Sequence, residues 1–351
     1  MPQQKPNSQK PKLLYYIHHH GNGHIARAKK LVPLAEKYAD VSLLIGHHAF
    51  KAVVAEALSN REIFTLPAKC QGNTAKARSF DAAFEGVPLS PSSCHRAYYF
   101  YQLVNETLFT GFISDVSAEL TIYARGAGLP VLMQRHTGDI SGDPTQVFAY
   151  HCAQALYAPY PSQFEAPDFA FLNKTTFLGC IAASTNNSPV IKKGITVIHN
   201  DAQVINAICE ALLPYEMPIS VVGGDKTQLR YLNQVTHNEQ VDSIIAHAQT
   251  DIVFCSGGNN TLCELLSVGK KLIVVPASRP YGEQNAKAKR LSEIGAAVCL
   301  EKDELHEKIN ILHAVDHAKS LNADTLATIK NETVSALWQR NFEALVKEHL
   351  L

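Results

Sequence analysis

The sequence predicts an α/β protein of two Rossmann-like domains, each a parallel sheet wrapped in helices, facing one another across a cleft. Three observations carry this. Short apolar runs alternate with helical stretches along most of the chain, the pattern of parallel strands joined by crossover helices. The alternation is interrupted at residues 183–193, where Asn, Ser and Pro cluster between apolar runs, and then begins again. A length of 351 residues is long for one core and comfortable for two. The chain therefore divides into a flexible tail (1–12), an N-terminal domain (13–182), a linker (183–193), a C-terminal domain (194–321) and a final helical segment (322–351).

Taken in order, Leu13 to Ile17 reads as the first strand, followed by a His/Gly loop and a helix from Ile25 to Tyr38. Strands follow at 41–46, 63–66, 112–115, 130–135 and 155–159. The intervening helices are expected at 49–58, 94–108, 116–127 and 146–153, and 70–93 reads as a long loop or broken helix. The second series has strands at 195–199, 219–224, 252–254 and 271–276, helices at 202–213, 241–248 and 286–294, and a further helix opened by the 255–266 stretch and closed at Gly269. A single amphipathic helix is expected from Ala323 to His349, with Asn322 as its N-cap and Val334, Leu337, Trp338, Phe342, Leu345 and Val346 at helical spacing.

Composition excludes several classes. Hydrophobic residues are 46%, charged residues 18%, and the formal net charge is +0, so neither disorder nor bulk nucleic-acid binding is indicated. The 8 cysteines include no CxxC pair and several lie in apolar runs, which predicts buried free thiols in a reducing compartment rather than a zinc site. Residues 1–12 lack the apolar core of a signal peptide, and no apolar run approaches the roughly 20 residues that span a bilayer. A cytoplasmic protein is expected, with peripheral contact to the inner face of a membrane left open.

Two loops carry the chemistry. Cys255-Ser256-Gly257-Gly258-Asn259-Asn260-Thr261 follows a buried strand and opens a helix, so backbone N–H groups and the positive end of the helix dipole are presented to an anion such as a diphosphate. Glu264 lies in that helix, where a carboxylate can accept hydrogen bonds from a ribose. After the next strand, Glu283, Gln284 and Asn285 stand at a helix start, where amide side chains can read sugar hydroxyls or cap the helix. Gly223 and Gly224 end a strand of the same domain. In the first domain, Gly21-Asn22-Gly23-His24 turns tightly after the first strand and sets His24 at the carboxyl edge of the sheet, where open α/β sheets bind ligands. A histidine there is a candidate general base. Asp139, with Asp143 in the same Gly-Asp and Asp-Pro loop after a strand, is a candidate catalytic residue on the acceptor side or else part of a surface turn; Asp115, at a strand end, is a further candidate. His18, His19 and His20 alternate in direction and make a poor metal site; His47 and His48 could also face the cleft.

These residues resemble the two-domain GT-B glycosyltransferases of the family 28 type, and in pattern the bacterial N-acetylglucosaminyltransferases that make lipid II. Ser256, Gly257, Gly258 and Thr261 match that family's uridine-diphosphate loop, Glu264 its ribose-binding glutamate, Gln284 its donor-sugar glutamine, and Gly23-His24 its first-loop Gly-His pair. Two departures stand out: Ile198-His199-Asn200-Asp201 replaces a glycine-rich loop, and Arg27 replaces a proline. The resemblance implies a last helix that crosses back to the first domain and an inverting, metal-independent transferase with no cofactor. It would move a hexose or N-acetylhexosamine from a UDP-sugar to an acceptor that the sequence leaves unidentified. Gly21 to Arg27 also resembles an enzyme that hydrolyses a UDP-amino-sugar, so a UDP-sugar hydrolase or epimerase of the same fold is an alternative, as is a non-catalytic nucleotide-sugar-binding protein.

Overall fold

A computed structural model describes residues 10–18, 22–69, 90–181, 192–334 and 337–351, with the backbone alone for Asn22, Glu332 and Val334. Gly21, His19, His20, most of the tail, most of the expected 70–93 loop and most of the linker lie outside the described residues. The first domain contains β1 (Lys12–Ile17), α1 (Asn22–Ala35), β2 (Asp40–Ile45), α2 (Lys51–Ala57), β3 (Ile63–Thr65), α3 (Pro91–Thr107), β4 (Gly111–Ser114), α4 (Ala118–Gly126), β5 (Val131–Gln134), α5 (Pro144–Cys152), β6 (Ala155–Ala158) and β7 (Thr175–Phe177). The second contains β8 (Lys192–Ile198), α6 (Ala202–Leu212), β9 (Ile219–Val222), β10 (Thr236–Asn238), α7 (Ile244–His247), β11 (Thr250–Cys255), α8 (Asn259–Ser267), β12 (Lys271–Val274), α9 (Glu283–Glu293), β13 (Ala297–Cys299) and α10 (Lys308–Lys319). Two further helices, α11 (Ala323–Val334) and α12 (Leu337–Leu350), end the chain.

Among the described residues all strand pairs are parallel, in a 7-stranded sheet of order β3-β2-β1-β4-β5-β6-β7 and a 6-stranded sheet of order β10-β9-β8-β11-β12-β13. The expected doubly wound α/β architecture is thus present in both halves. The central strands carry unbroken buried runs (Leu13 to Ile17, Ile252 to Cys255) because helices cover both faces, and two apolar clusters flank each sheet.

The last segment differs from the single helix expected. Asn322 does cap it, accepting from Asp324 N at 2.8 Å and Thr325 N at 3.0 Å. But α11 packs on α8 and stays with the second domain, and only α12 crosses back, onto α1 and β5. Its Phe342, Leu345, Val346 and Leu350 complete the core beside β1. No helix among the described residues is long and apolar enough to cross a membrane.

The expectation of free thiols is corrected. Cys180, at the end of the first domain, and Cys263, on α8, form a buried disulfide with Cα atoms 5.5 Å apart. They are 83 residues apart in sequence, so only the folded topology brings them together. Cys94, Cys152, Cys209, Cys255 and Cys299 are free thiols.

Candidate functional site

Each sheet reverses its strand order at its first strand: β1 lies between β2 and β4, and β8 between β9 and β11. Loops leaving neighbouring strands at such a point run to opposite faces and open a crevice at the carboxyl ends. Gly23 and His24 lie at the first crevice and Ser256 to Asn259 at the second.

In the first domain the crevice joins His24, in the first turn of α1, to Asp115, the residue after β4. His24 Nδ1 lies 2.6 Å from Asp115 Oδ2, and Arg27, one turn further along α1, donates from Nη2 to Asp115 Oδ1 at 3.3 Å. The His18 backbone N–H reaches Asp115 Oδ2 at 3.4 Å. Burial pushes the Asp115 carboxyl up, but Arg27, His24 and the His18 N–H more than offset it and hold it well below the usual carboxylate range. An ionised carboxylate at this distance assigns the proton to Nδ1 and leaves Nε2 as the basic nitrogen. The 2.9 Å approach of Arg27 Nη2 to Nδ1 is then a by-product of its bond to Asp115.

Backbone strain surrounds this pair. Val116, β-branched, has φ 60°, and Tyr281 has φ 61°. His136 sits between them: it hydrogen-bonds the Val116 backbone and packs 5.1 Å from the Tyr281 ring. Burial lowers its pKa, while Glu283, Asp115 and His24 all act on it. His136 therefore belongs with the site, although only its position beside the Gly-Asp turn hinted at this in the sequence.

Asp139 stands elsewhere. Its carboxylate is exposed and accepts the Ser141 N–H of its own turn at 2.8 Å, and it lines a separate cavity of about 1150 Å³ with Phe169, Phe171 and Arg290. The carboxylate facing His24 is Asp115 instead, because β4 and not β5 lies next to β1 in the sheet. Asp143 caps α5 through Gln146 N at 2.9 Å and accepts the Tyr281 hydroxyl at 2.6 Å, tying the two domains together. His47 caps the short turn at 48–50.

In the second domain β11 ends at Cys255, and Gly258 precedes α8 without any side-chain cap, so the first N–H groups of that helix are not satisfied by a cap. Gln284 fixes the loop: its Oε1 accepts from Gly257 N and from Ala277 N, both at 2.9 Å. The carbonyl end of Gln284 is thus committed to the two loops. Gly257 permits the approach, since an added Cβ would lie 2.9 Å from Gln284 Cβ. Asn259 Oδ1 accepts Lys287 Nζ at 2.6 Å, and Asn285 Nδ2 donates to Glu301 at 3.2 Å. Ser256 and Thr261 are partly exposed at the loop mouth. Burial raises the pKa of the Glu264 carboxyl, opposed by Lys30 of α1 in the other domain. The first turns of the two helices face each other: a Cβ on Gly23 would come 3.6 Å from Asn260 Nδ2.

Gly223 and Gly224 follow β9 with φ 91° and 74°. An added Cβ on Gly223 would lie 2.6 Å from His199 O, so this pair lets the β9 loop close on the β8 loop. His199, where a glycine-rich loop was expected by resemblance, is buried and accepts Asp201 N at 3.0 Å through Nδ1, with Nε2 bonded to Val275 O at 3.2 Å. It pins the β8 turn to the end of β12.

Residues 185–340 match the model of the glycosyltransferase family 28 C-terminal domain. A 107-residue stretch is 35% identical to the UDP-N-acetylglucosamine–N-acetylmuramyl-(pentapeptide) pyrophosphoryl-undecaprenol N-acetylglucosamine transferase of Haemophilus influenzae, covering 30% of this chain and 29% of that protein. The matched stretch thus spans less than a third of that relative's length. The likeness to solved structures runs through the whole chain. The glycotransferase of kitacinnamycin superposes with a TM-score of 0.71 at 15% identity, over 98% of this chain and 100% of that one. MurG of Acinetobacter baumannii superposes with a TM-score of 0.67 at 14% identity, over 96% and 100%. At such identities the likeness is one of fold, the two-domain GT-B frame.

Proposed function

We propose, from the premise that this chain is a two-domain GT-B protein carrying a glycosyltransferase family 28 C-terminal domain, that it transfers a sugar from a UDP-sugar to a hydroxyl-bearing acceptor with inversion. The observation that carries this reading is the pairing of His24 with Asp115 opposite the uncapped first turn of α8. His24 Nε2 takes the acceptor's hydroxyl proton, and Asp115 stabilises the resulting imidazolium. The acceptor oxygen attacks the anomeric carbon from the face opposite UDP. The bond to the β-phosphate oxygen breaks, and the electron pair leaves with UDP. The N–H groups at the start of α8 stabilise that leaving charge. Glu264 binds the ribose, Ser256 and Thr261 contact the diphosphate, and the Gln284 amide with Glu283 and Asn285 forms the sugar-side wall. The acceptor enters from the first domain, between His24 and His136; a lipid-linked glycan, named as substrate of the Haemophilus relative, belongs to the class tested.

The test is calorimetric binding of UDP, GDP, dTDP and ADP in EDTA and then in Mg²⁺, followed by UDP release from UDP-sugars with and without lipid-linked and soluble acceptors. Selective UDP binding in EDTA and acceptor-dependent release support the reading. Absence of binding by all four nucleotides overturns the donor assignment, and equal release without acceptor converts it to hydrolysis.

A further inference from the structure

Lys287, on α9, is 0% exposed. Its Nζ donates to Asn259 Oδ1 at 2.6 Å, and among the described residues no carboxylate pairs with it. The charges that act on it are Glu283 on its own helix, Glu165 in the segment after β6, and Arg27 on α1. Glu165 is itself engaged by Arg135 Nη1 at 2.7 Å. A buried ammonium held by one neutral oxygen is an expensive arrangement, stable only where opposite charge or further acceptors arrive. Burial accordingly lowers its pKa to about 8.

Its position supplies the missing charge. Asn259 is the first residue of α8, and its N-cap Gly258 offers no side chain to the helix N–H groups. The ammonium and the uncapped N–H groups therefore concentrate positive potential at one point of the crevice. We propose that Lys287 is the cation of the diphosphate site: with a nucleoside diphosphate bound, its ammonium shares the phosphate charge with the first turn of α8 and sets the preference for diphosphate over nucleoside. This inference rests on the donor-site reading above and goes beyond it, because neither the helix terminus nor the loop glycines contribute a full charge.

The experiment compares UDP and uridine binding by calorimetry in EDTA for the full-length protein and for Lys287→Met. Methionine keeps the length and apolar stem, so the variant is expected to melt at or above the wild-type temperature. The UDP-to-uridine affinity ratio should fall by about 10–100-fold, the scale of one charge–charge attraction acting past Asn259 in a partly buried medium, with uridine affinity unchanged. In the wild type the same ratio should fall as pH rises from 7 to 9.5, as the buried Lys287 ammonium, acted on by Glu283, Glu165 and Arg27, loses its proton. A ratio that survives Lys287→Met, or a parallel loss of UDP and uridine, overturns the proposal while leaving the donor site standing. A pH-independent wild-type ratio also overturns it. Failure of the wild type to bind either molecule overturns the donor site and this inference together.

Discussion

Asp115 is buried to 1% exposure, and its negative charge is compensated by Arg27 and His24 rather than by water. Asp115→Asn should keep the fold but present a neutral amide to His24 Nδ1, removing the group that fixes the tautomer and stabilises the imidazolium. Turnover is expected to drop by about 10²–10⁴-fold with UDP affinity little changed, and His24→Ala should fall in the same range. A kinetic loss confined to KM would refute the assigned role. The same carboxyl links stability to pH. Its native pKa lies below the unfolded value of about 3.9, so its contribution is present above that value and is lost as pH falls through the native one. The stability gap between wild type and Asp115→Asn, measured by urea unfolding, should shrink below about pH 4. His24 was legible in the sequence because two glycines and a strand announce a ligand-facing turn. Asp115 was legible only as a strand end, since its partner lies 91 residues away and strand order is not written in spacing. Asp139 drew attention for its Gly-Asp turn, which is a local property and served a local hydrogen bond.

At the scale of elements, the two halves of the chain are joined by α8 and α9 as much as by the linker. The Cys180–Cys263 disulfide closes a loop of 83 residues, and loop-closure entropy assigns it up to about 4.6 kcal/mol. Cys180→Ser with Cys263→Ser should lower the unfolding free energy by about 2–4 kcal/mol in denaturant titration; an unchanged midpoint would show that the two thiols need not be joined. Gln284 is a second fastening. Gln284→Leu leaves the N–H groups of Gly257 and Ala277 without their shared acceptor, at about 1–3 kcal/mol each, and frees the loop that precedes α8. Thermal unfolding should shift down and UDP affinity should weaken together, whereas a purely sugar-contacting glutamine would lose UDP-sugar affinity alone. Long periodic elements were readable here. The equally short β3 was readable from its Ile63-Phe64 pair, whereas β7, β10 and β13 were not, because a three-residue run without two large apolar neighbours carries too little pattern. The helix α10 is not among the elements expected above, although Ile311, Ala314, Val315 and Ala318 recur at helical spacing on its buried face.

For the whole molecule, the last 14-residue helix decides whether the first domain has a closed core. Phe342 packs edge-on to Tyr157 at 5.7 Å, and Glu343 accepts from Lys37 and the Tyr38 hydroxyl, each at 2.6 Å. The periodicity of Trp338, Phe342, Leu345 and Val346 showed an apolar face in the sequence, but not which of the two sheets would receive it. A chain ended at Val334 would leave the α1–β1 face without Phe342, Leu345, Val346 and Leu350, whose burial is worth about 1.5–3 kcal/mol each and about 6–12 kcal/mol together as an upper bound. That is comparable to the whole stability of a domain, about 5–15 kcal/mol. The second domain keeps its own two apolar clusters, including Leu326 and Ile329 of α11, so the loss should be one-sided. Hydrogen exchange of the truncated protein should show β1 and α1 unprotected while β8 and β11 retain their protection, and with the disulfide intact UDP binding should outlast acceptor-dependent turnover. Uniform loss of protection in both halves would mean that the two domains fold as one unit and that α12 stabilises the pair rather than its own sheet.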